Sequence, residues 1–343
     1  GYQAAGGGGS DTWGGEFNTS LTFSELPKGI LTILLTNPLS ASSTQIWQGH
    51  WQPEAPRAFP TVTAPNASGV CLNADTFQTL TTLPASLDGR MVITELNPKQ
   101  QIVLVSFDGS QRQVLVSGNA RGALTQDGTS LAYVGDQGIM LLDMTARTTS
   151  QLTTQSGHDL HWSPDGNWLS FVDTGEQPGI WIVGADGSVQ RRLSDLGFET
   201  IAGWSPDGIR LYYAIGDSGG SGWLFKAVEV NTGVVEDLFI LENASPKAPM
   251  PALSPDGQWV AYRASDNSSL YLIRTDGTQS RLIMDQPAIA ISGFAWESQG
   301  HLLAVSMITP HNPDGVVVLL QLDPCEAYIL PEMHGLVEGI IIP

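Results

Sequence analysis

The sequence is short of positive charge, of cysteine and of long apolar runs, and each shortage narrows what the chain does. Lys and Arg number 15 against 34 Asp and Glu, a formal net charge of −19 over 343 residues. A surface this acidic repels phosphate backbones and anionic lipid headgroups, so nucleic acid is not expected as a partner. The longest apolar runs, at 30–35 and 316–320, have the length of strands, which leaves no segment able to cross a membrane as a helix. A sustained helical spacing of apolar residues is also missing, so helices should be short or absent. Charged residues make up only 14% of the chain and hydrophobic ones 41%, too little charge for a disordered polymer and enough apolar material for a large core.

What is there is a repeat. Trp162-Ser163-Pro164-Asp165-Gly166 returns as Trp204-Ser205-Pro206-Asp207-Gly208 and as Leu253-Ser254-Pro255-Asp256-Gly257. Looser copies stand at Ser86-Leu87-Asp88-Gly89, Thr125-Gln126-Asp127-Gly128 and Glu297-Ser298-Gln299-Gly300, so the terminal glycines lie 39, 38, 42, 49 and 43 residues apart. That period suits a four-stranded propeller blade. Within the pentad, Ser accepts at the first turn position, Pro presets φ at the second, Asp caps and Gly supplies the left-handed residue. About 20 residues further on a second turn recurs, at Asp108-Gly109, Asp186-Gly187, Asn231-Thr232-Gly233 and Asp276-Gly277. Each repeat therefore supplies four strands, and radial stacking of such sheets makes an all-β propeller.

The SPDG turns and their spacing resemble the WD40-like repeats of TolB-type propellers, which also occur in tricorn-like proteins and in the propellers of prolyl-oligopeptidase-like peptidases. The resemblance covers roughly residues 80–333 and speaks to fold, with the tryptophans packing between blades and function left open. The extra α/β domain of TolB has no counterpart in the sequence, so its particular partners do not transfer.

Beyond the last repeat, Gly335-Leu336-Val337-Glu338-Gly339-Ile340-Ile341-Ile342 resembles an inner strand, such as Thr200-Ile201-Ala202-Gly203-Trp204, that has lost its blade. Strand-like runs at 17–23, 30–36 and 70–80 could supply the rest. The expectation is a seven-bladed ring whose last blade is stitched from both termini; the alternative is six blades, with the terminal strand across the ring edge. The chain then divides into a flexible Gly-rich arm at 1–15, strands and a Pro/Ser/Thr-rich connector at 16–79, and the repeat propeller at 80–343. The connector, at 38–68 with Pro53, Pro56, Pro60 and Pro65, should be extended and run over the surface. A third arrangement sends the N-terminal arm into a neighbouring copy by β-augmentation, which would make a polymer.

Only two cysteines exist, Cys71 just before the repeats and Cys325 in the outer strand of the last, and a disulfide between them would clasp the ring. In a chain-entropy account such a link is worth on the order of 4 to 5 kcal/mol, and it fits an oxidising compartment; two buried thiols are the alternative. Gly1 in place of an initiator Met is what a removed leader, a larger precursor or an artificial junction would leave. Sequons at Asn18, Asn66, Asn243 and Asn267 permit glycosylation in a secreted protein.

Candidate chemistry is thin. Gly216-Asp217-Ser218-Gly219-Gly220 matches the motif around serine-hydrolase nucleophiles, but it falls between two strands of one blade, where neither a strand-to-helix elbow nor a double barrel stands behind Ser218. His158, Asp159 and His161 lead into a strand, which puts i and i+3 on opposite faces, and His50, His301, His311 and His334 are scattered, so no metal or other cofactor is expected. No Asp-X-Asp-X-Asp calcium loop occurs. Trp47, His50 and Trp51 form a candidate docking point, with packing on the propeller flank as the alternative, and a long rim loop at 307–315 with Pro310, His311 and Asn312 is a second. The reading is a non-enzymatic extracytoplasmic scaffold for other proteins, copies of itself included. The rivals are a hydrolase or lyase working in the central funnel, which would need unpaired acid and base groups there, and an accessory subunit of a peptidase.

Overall fold

The computed structural model describes residues 29–36, 43–51 and 69–342, apart from 78–79, 85–86, 98, 119–120, 197, 217–221, 245–249, 288, 310–311 and 331. The chain falls into two compact units, Gly1–Ala58 and Phe59–Pro343.

The larger unit is a β-propeller of six blades, numbered I to VI from the first complete repeat. Blade II is built from Gly122–Leu124, Ser130–Gly135, Gly138–Asp143 and Thr149–Thr153, innermost strand first, and blade III from Gly157–Trp162, Trp168–Asp173, Gly179–Gly184 and Gln190–Arg192. Blade IV comprises Glu199–Trp204, Arg210–Gly216, Gly222–Glu229 and Val235–Glu242. Blade V comprises Ala252–Leu253, Trp259–Arg263, Ser269–Arg274 and Ser280–Asp285, and blade VI Ala290–Trp296, Leu302–Thr309, Asn312–Leu322 and Cys325–Leu330. Blade I draws three strands, Arg90–Glu95, Gln101–Ser106 and Arg112–Ser117, from the start of the repeats and its innermost strand, Leu336–Ile341, from the chain end.

The count of seven is therefore corrected to six, because the pentad sits between the first and second strands of a blade. The first repeat begins after its own inner strand should have come, and the terminal strand fills that vacancy in antiparallel register, Leu336 opposite Thr94 and Ile341 opposite Arg90. The terminal strand thus lies inside a blade and not across the ring edge. The segment at 70–80 does not build a blade either. Leu72–Asn73 and Thr81–Thr82 add as short parallel fifth strands on the outer edges of blades V and VI, joined by the single helical turn Ala74–Phe77.

Alternate residues of each strand face alternate neighbours, so both faces of every sheet are buried. Val103 and Val105 of blade I pack towards blade VI, while Ile102 and Leu104 pack towards blade II. This is why Gln101–Ser106 and Trp168–Asp173 are apolar runs and not alternations. Six apolar clusters result, one per blade interface.

The pentad works as its residue types require, with the serine bonding both ways. Ser163 Oγ donates to Asp165 Oδ1 at 2.6 Å and accepts from Trp168 N–H at 2.9 Å, and Asp165 Oδ1 also accepts from Asn167 N–H at 3.1 Å. Those donors, Ser163 first, hold the Asp165 carboxyl below the usual range. In blade VI, Glu297 replaces serine and its carboxylate alone accepts from the N–H groups of Gln299, His301 and Leu302. Successive turns also touch. Gly257 has φ of +70° and lies where an added Cβ would meet Pro206 Cδ at 2.7 Å, whereas Gly208, at +69°, has open space beside it.

Cys71 and Cys325 are joined, with Cα atoms 4.9 Å apart. The bridge does not clasp the ring seam, which lies at blade I. Cys71 N–H donates to Ile283 O of blade V and Cys325 opens the outer strand of blade VI, so the disulfide fastens the lead-in strap across those two blades.

The smaller unit contains the hairpin Gly29–Thr36 with Ser43–Trp51, a two-stranded sheet of its own. The strand at 30–36 is as expected, but 43–51, expected as part of the extended connector, pairs as well; the prolines that argue against pairing stand at Pro38 and from Pro53 onward, leaving Ser43 to Trp51 free to pair. The expected strand at 17–23 and the arm at 1–15 lie outside the described residues.

Two outcomes check this account. Gly208→Ala should cost about 1 kcal/mol of unfolding free energy for its backbone conformation alone, and Gly257→Ala roughly twice that or more because of Pro206; equal losses in denaturant titrations would show that turn-to-turn packing contributes nothing. Cys71→Ser with Cys325→Ser should open the strap at 69–82 to limited proteolysis while the fragment beyond it stays resistant, and collapse of the whole ring would contradict the assignment of ring closure to the terminal strand.

Candidate functional site: the central channel

The six inner strands converge on a channel of about 530 Å3. Convergence demands small residues, and the wall carries Gly122, Ala123, Ala202, Gly203, Gly293 and Gly339. At Gly339 an added Cβ would stand 2.9 Å from Leu124 Cβ of the next blade. Between them stand larger apolar groups, Met250, Phe294 and the indoles of Trp162, Trp204 and Trp296.

The tryptophans pack between blades, as the resemblance implied, and each donates its indole N–H backwards round the ring. Trp162 donates to Ala123 O at 3.0 Å, Trp204 to His161 O at 3.1 Å and Trp296 to Ala252 O at 3.0 Å. On the face formed by the pentad turns, Gln126 Nε2 donates to Ser298 O at 3.1 Å, linking the turns of blades II and VI.

Four inner strands slip register part-way along, at His158/His161, Ile201/Gly203, Ile291/Gly293 and Val337/Gly339. A bulge re-aims a side chain, and two of these deliver carboxylates. Glu338 accepts from Thr94 Oγ1 at 2.7 Å and from Arg121 Nε, and Asp159, at φ of +54°, accepts from Thr200 Oγ1 at 2.8 Å and Ile201 N–H at 3.1 Å of the next blade. Burial lifts the Glu338 carboxyl above its usual range, against the pull of Arg121 and Thr94. Arg121 itself is about half exposed, at 47%, and is the one Lys or Arg lining the channel among the described residues.

Three carboxylates line the channel, Asp159, Glu297 and Glu338, and all three accept hydrogen bonds from this chain. His161 is pushed down by desolvation, with Asp159 opposing, and His158 is exposed. Among the described residues no three His, Cys, Asp or Glu gather closely enough to hold a metal ion.

The other candidates sit elsewhere. Trp47, His50 and Trp51 belong to the hairpin strand Ser43–Trp51 of the smaller unit. The rim loop at 307–315 is instead a lengthened hairpin: Leu302–Thr309 and Asn312–Leu322 pair, across a register shift between Met307 and Thr309, as far as Thr309 opposite Asn312. Pro310 and His311 lie outside the described residues, as do Asp217 to Gly220 with Ser218, and Gly216 and Trp223 are paired across that gap as adjacent strands of blade IV. Asn243 is exposed in a turn and Asn267 sits half-buried in another; Asn18 and Asn66 are not among the described residues. Sequence reasoning missed Arg121, Glu338, Met250 and Phe294. One signal was available: aligning the terminal strand with Thr200 to Trp204 puts Glu338 where Ala202 stands.

These features define a six-bladed propeller with a channel whose charged groups are tied into its own wall. The fold is that of the TolB-like β-propellers. TolB of Acinetobacter baumannii superposes with a TM-score of 0.60 at 18% identity, over 75% of this chain and 67% of that one. A TolB-designated protein of Agrobacterium tumefaciens gives 0.54 at 17%, over 71% and 88%, and a chain of a nidogen/laminin complex 0.52 at 9%, over 74% and 97%. The sequence matches no protein-family model.

Arg121→Ala should destabilise the protein by about 1 to 3 kcal/mol, a buried-pair loss discounted for the exposure of the arginine. The deficit should shrink as pH falls. Glu338 has its folded pKa raised, and more so without Arg121, so protonation relieves the buried charge. Glu338→Gln in the same background should remove that pH dependence in urea titrations; a deficit constant with pH would show that the pair is not coupled.

Proposed function

We propose that the protein is a non-enzymatic, extracytoplasmic propeller that binds another protein at its central channel. The observation that carries this reading is the wall itself. Its carboxylates already hold hydrogen-bond donors of the same chain, and beside Arg121 and His158 much of the remaining lining is small, aromatic or aliphatic, a surface better suited to shape recognition than to acid–base chemistry. The compartment rests on the Cys71–Cys325 bridge, since disulfides persist where the surroundings are oxidising. The charge of −19 favours a partner with a basic contact surface, which long-range attraction would steer towards the rim. Propellers of this fold include one found in a complex, that of nidogen and laminin.

The test is a photo-reactive amino acid placed at Phe294 in the channel or, as a control, at Val114 on the exposed edge of blade I. Cross-linking in the native cell should trap one discrete protein from position 294, not from 114, and Gly293→Trp, which fills the channel from a position where an added Cβ has room, should abolish the product. Absence of any channel-specific product, or turnover of a small molecule that stops when the channel is filled, would overturn the reading.

A further inference from the structure

Two of the six blades do not stop at four strands, since blades V and VI each take a fifth from this chain. The outer strands of blades I to IV pair on one side only among the described residues, so each presents a row of backbone donors and acceptors. The longest of them is Val235–Glu242 of blade IV, at eight residues against six, five and three in blades I, II and III. That edge also carries apolar surface: Val234 and Val235 are 63% and 45% exposed, and Ile209 nearby is 43% exposed. Two of its three acidic residues are paired within the blade, Glu236 with Arg210 and Asp237 with Lys226.

The matching piece is in the other unit. The hairpin of Gly29–Thr36 and Ser43–Trp51 pairs with no third strand among the described residues, and a two-stranded sheet alone is marginal in water. From Gly29 to Gln52 the sequence has no Asp, Glu, Lys or Arg, in a chain that has 34 acidic and 15 basic residues. Ile30, Leu31, Ile33, Leu34 and Leu35 make it strongly β-forming, and Lys28 just before it suits an acidic edge. Its first strand is eight residues long, the length of the blade IV edge.

We propose that the chain self-associates by strand addition, the hairpin Gly29–Trp51 of one copy extending the outer edge Val235–Glu242 of blade IV in a second copy. The contact is head-to-tail, so it propagates into a filament unless the rotation closes a ring. Trp47, His50 and Trp51 travel with the added hairpin. This surface is separate from the channel, and either assignment stands without the other.

The experiment is sedimentation velocity of the full chain over a wide concentration range, with near-UV dichroism of the propeller tryptophans as the control for folding. The parent should associate reversibly, and Thr32→Pro, which breaks the first hairpin strand, should weaken association by roughly tenfold or more. Mixing one copy carrying Thr32→Cys with another carrying Glu236→Cys should give a disulfide between copies. A folded parent that stays monomeric at every concentration overturns the proposal. So does undiminished association of Thr32→Pro, and so does a cross-link formed only within single chains bearing both cysteines. The photo-cross-link from position 294 reads the channel independently of these outcomes.

Discussion

The ring depends on one strand pairing, Leu336–Ile341 against Arg90–Glu95. An open stack of six sheets would leave the apolar faces of blades I and VI in water; closure buries Met91, Ile93, Val103 and Val105 against Ala304, Val317 and Leu319. The loop-closure entropy of bringing the chain end back to residue 90 is set against a whole blade interface, and because that cost grows only slowly with length the interface prevails. The same pairing places Glu338 in the channel and so fixes the character of the site.

Around this closure the molecule repeats two local devices. One is the pentad turn, where the serine hydroxyl donates to the aspartate and holds the Asp165 and Asp207 carboxyls below the usual range; at Asp108, in a related turn of blade I, the donors of Ser106 and Ser110 bring the pKa to about 2. The other is the inner-strand bulge, which turns a side chain out of the pleat towards the next blade. Where the bulge holds Ala202 it only makes room. Where it holds Glu338 or Asp159 it ties two blades together by charge-assisted hydrogen bonds. Stability and the shape of the channel are in this way the work of the same residues.

The strap at 69–82 shows a different economy. Its fifth strands pair through two residues each, far too few to hold by themselves, and the Cys71–Cys325 bridge with buried Leu72 supplies the anchorage. Blades V and VI thereby have part of their outer edges covered, while among the described residues blade IV keeps a longer open one beside exposed valines. An acidic surface with one uncharged β-forming segment elsewhere in the same chain is a physical asymmetry that the propeller alone does not use.

The blade unit is written into the local sequence. Gly, Pro, Asp and Ser act through local backbone geometry, so the turns at 163–166, 205–208 and 254–257, the strands flanking them and the all-β class are legible without any tertiary knowledge. The sequence also carried the pairing of the only two cysteines. Phase and neighbourhood, by contrast, emerge only once the ring is closed. Six repeats and an orphan strand read equally well as seven blades or six, because strand pairing at a separation of more than two hundred residues leaves no local trace; the answer came from which interface the closed ring could bury. For the same reason Arg121, Phe294 and Glu338 were invisible as a set: they stand on three different blades, and only the convergence of inner strands on one axis brings them to one channel.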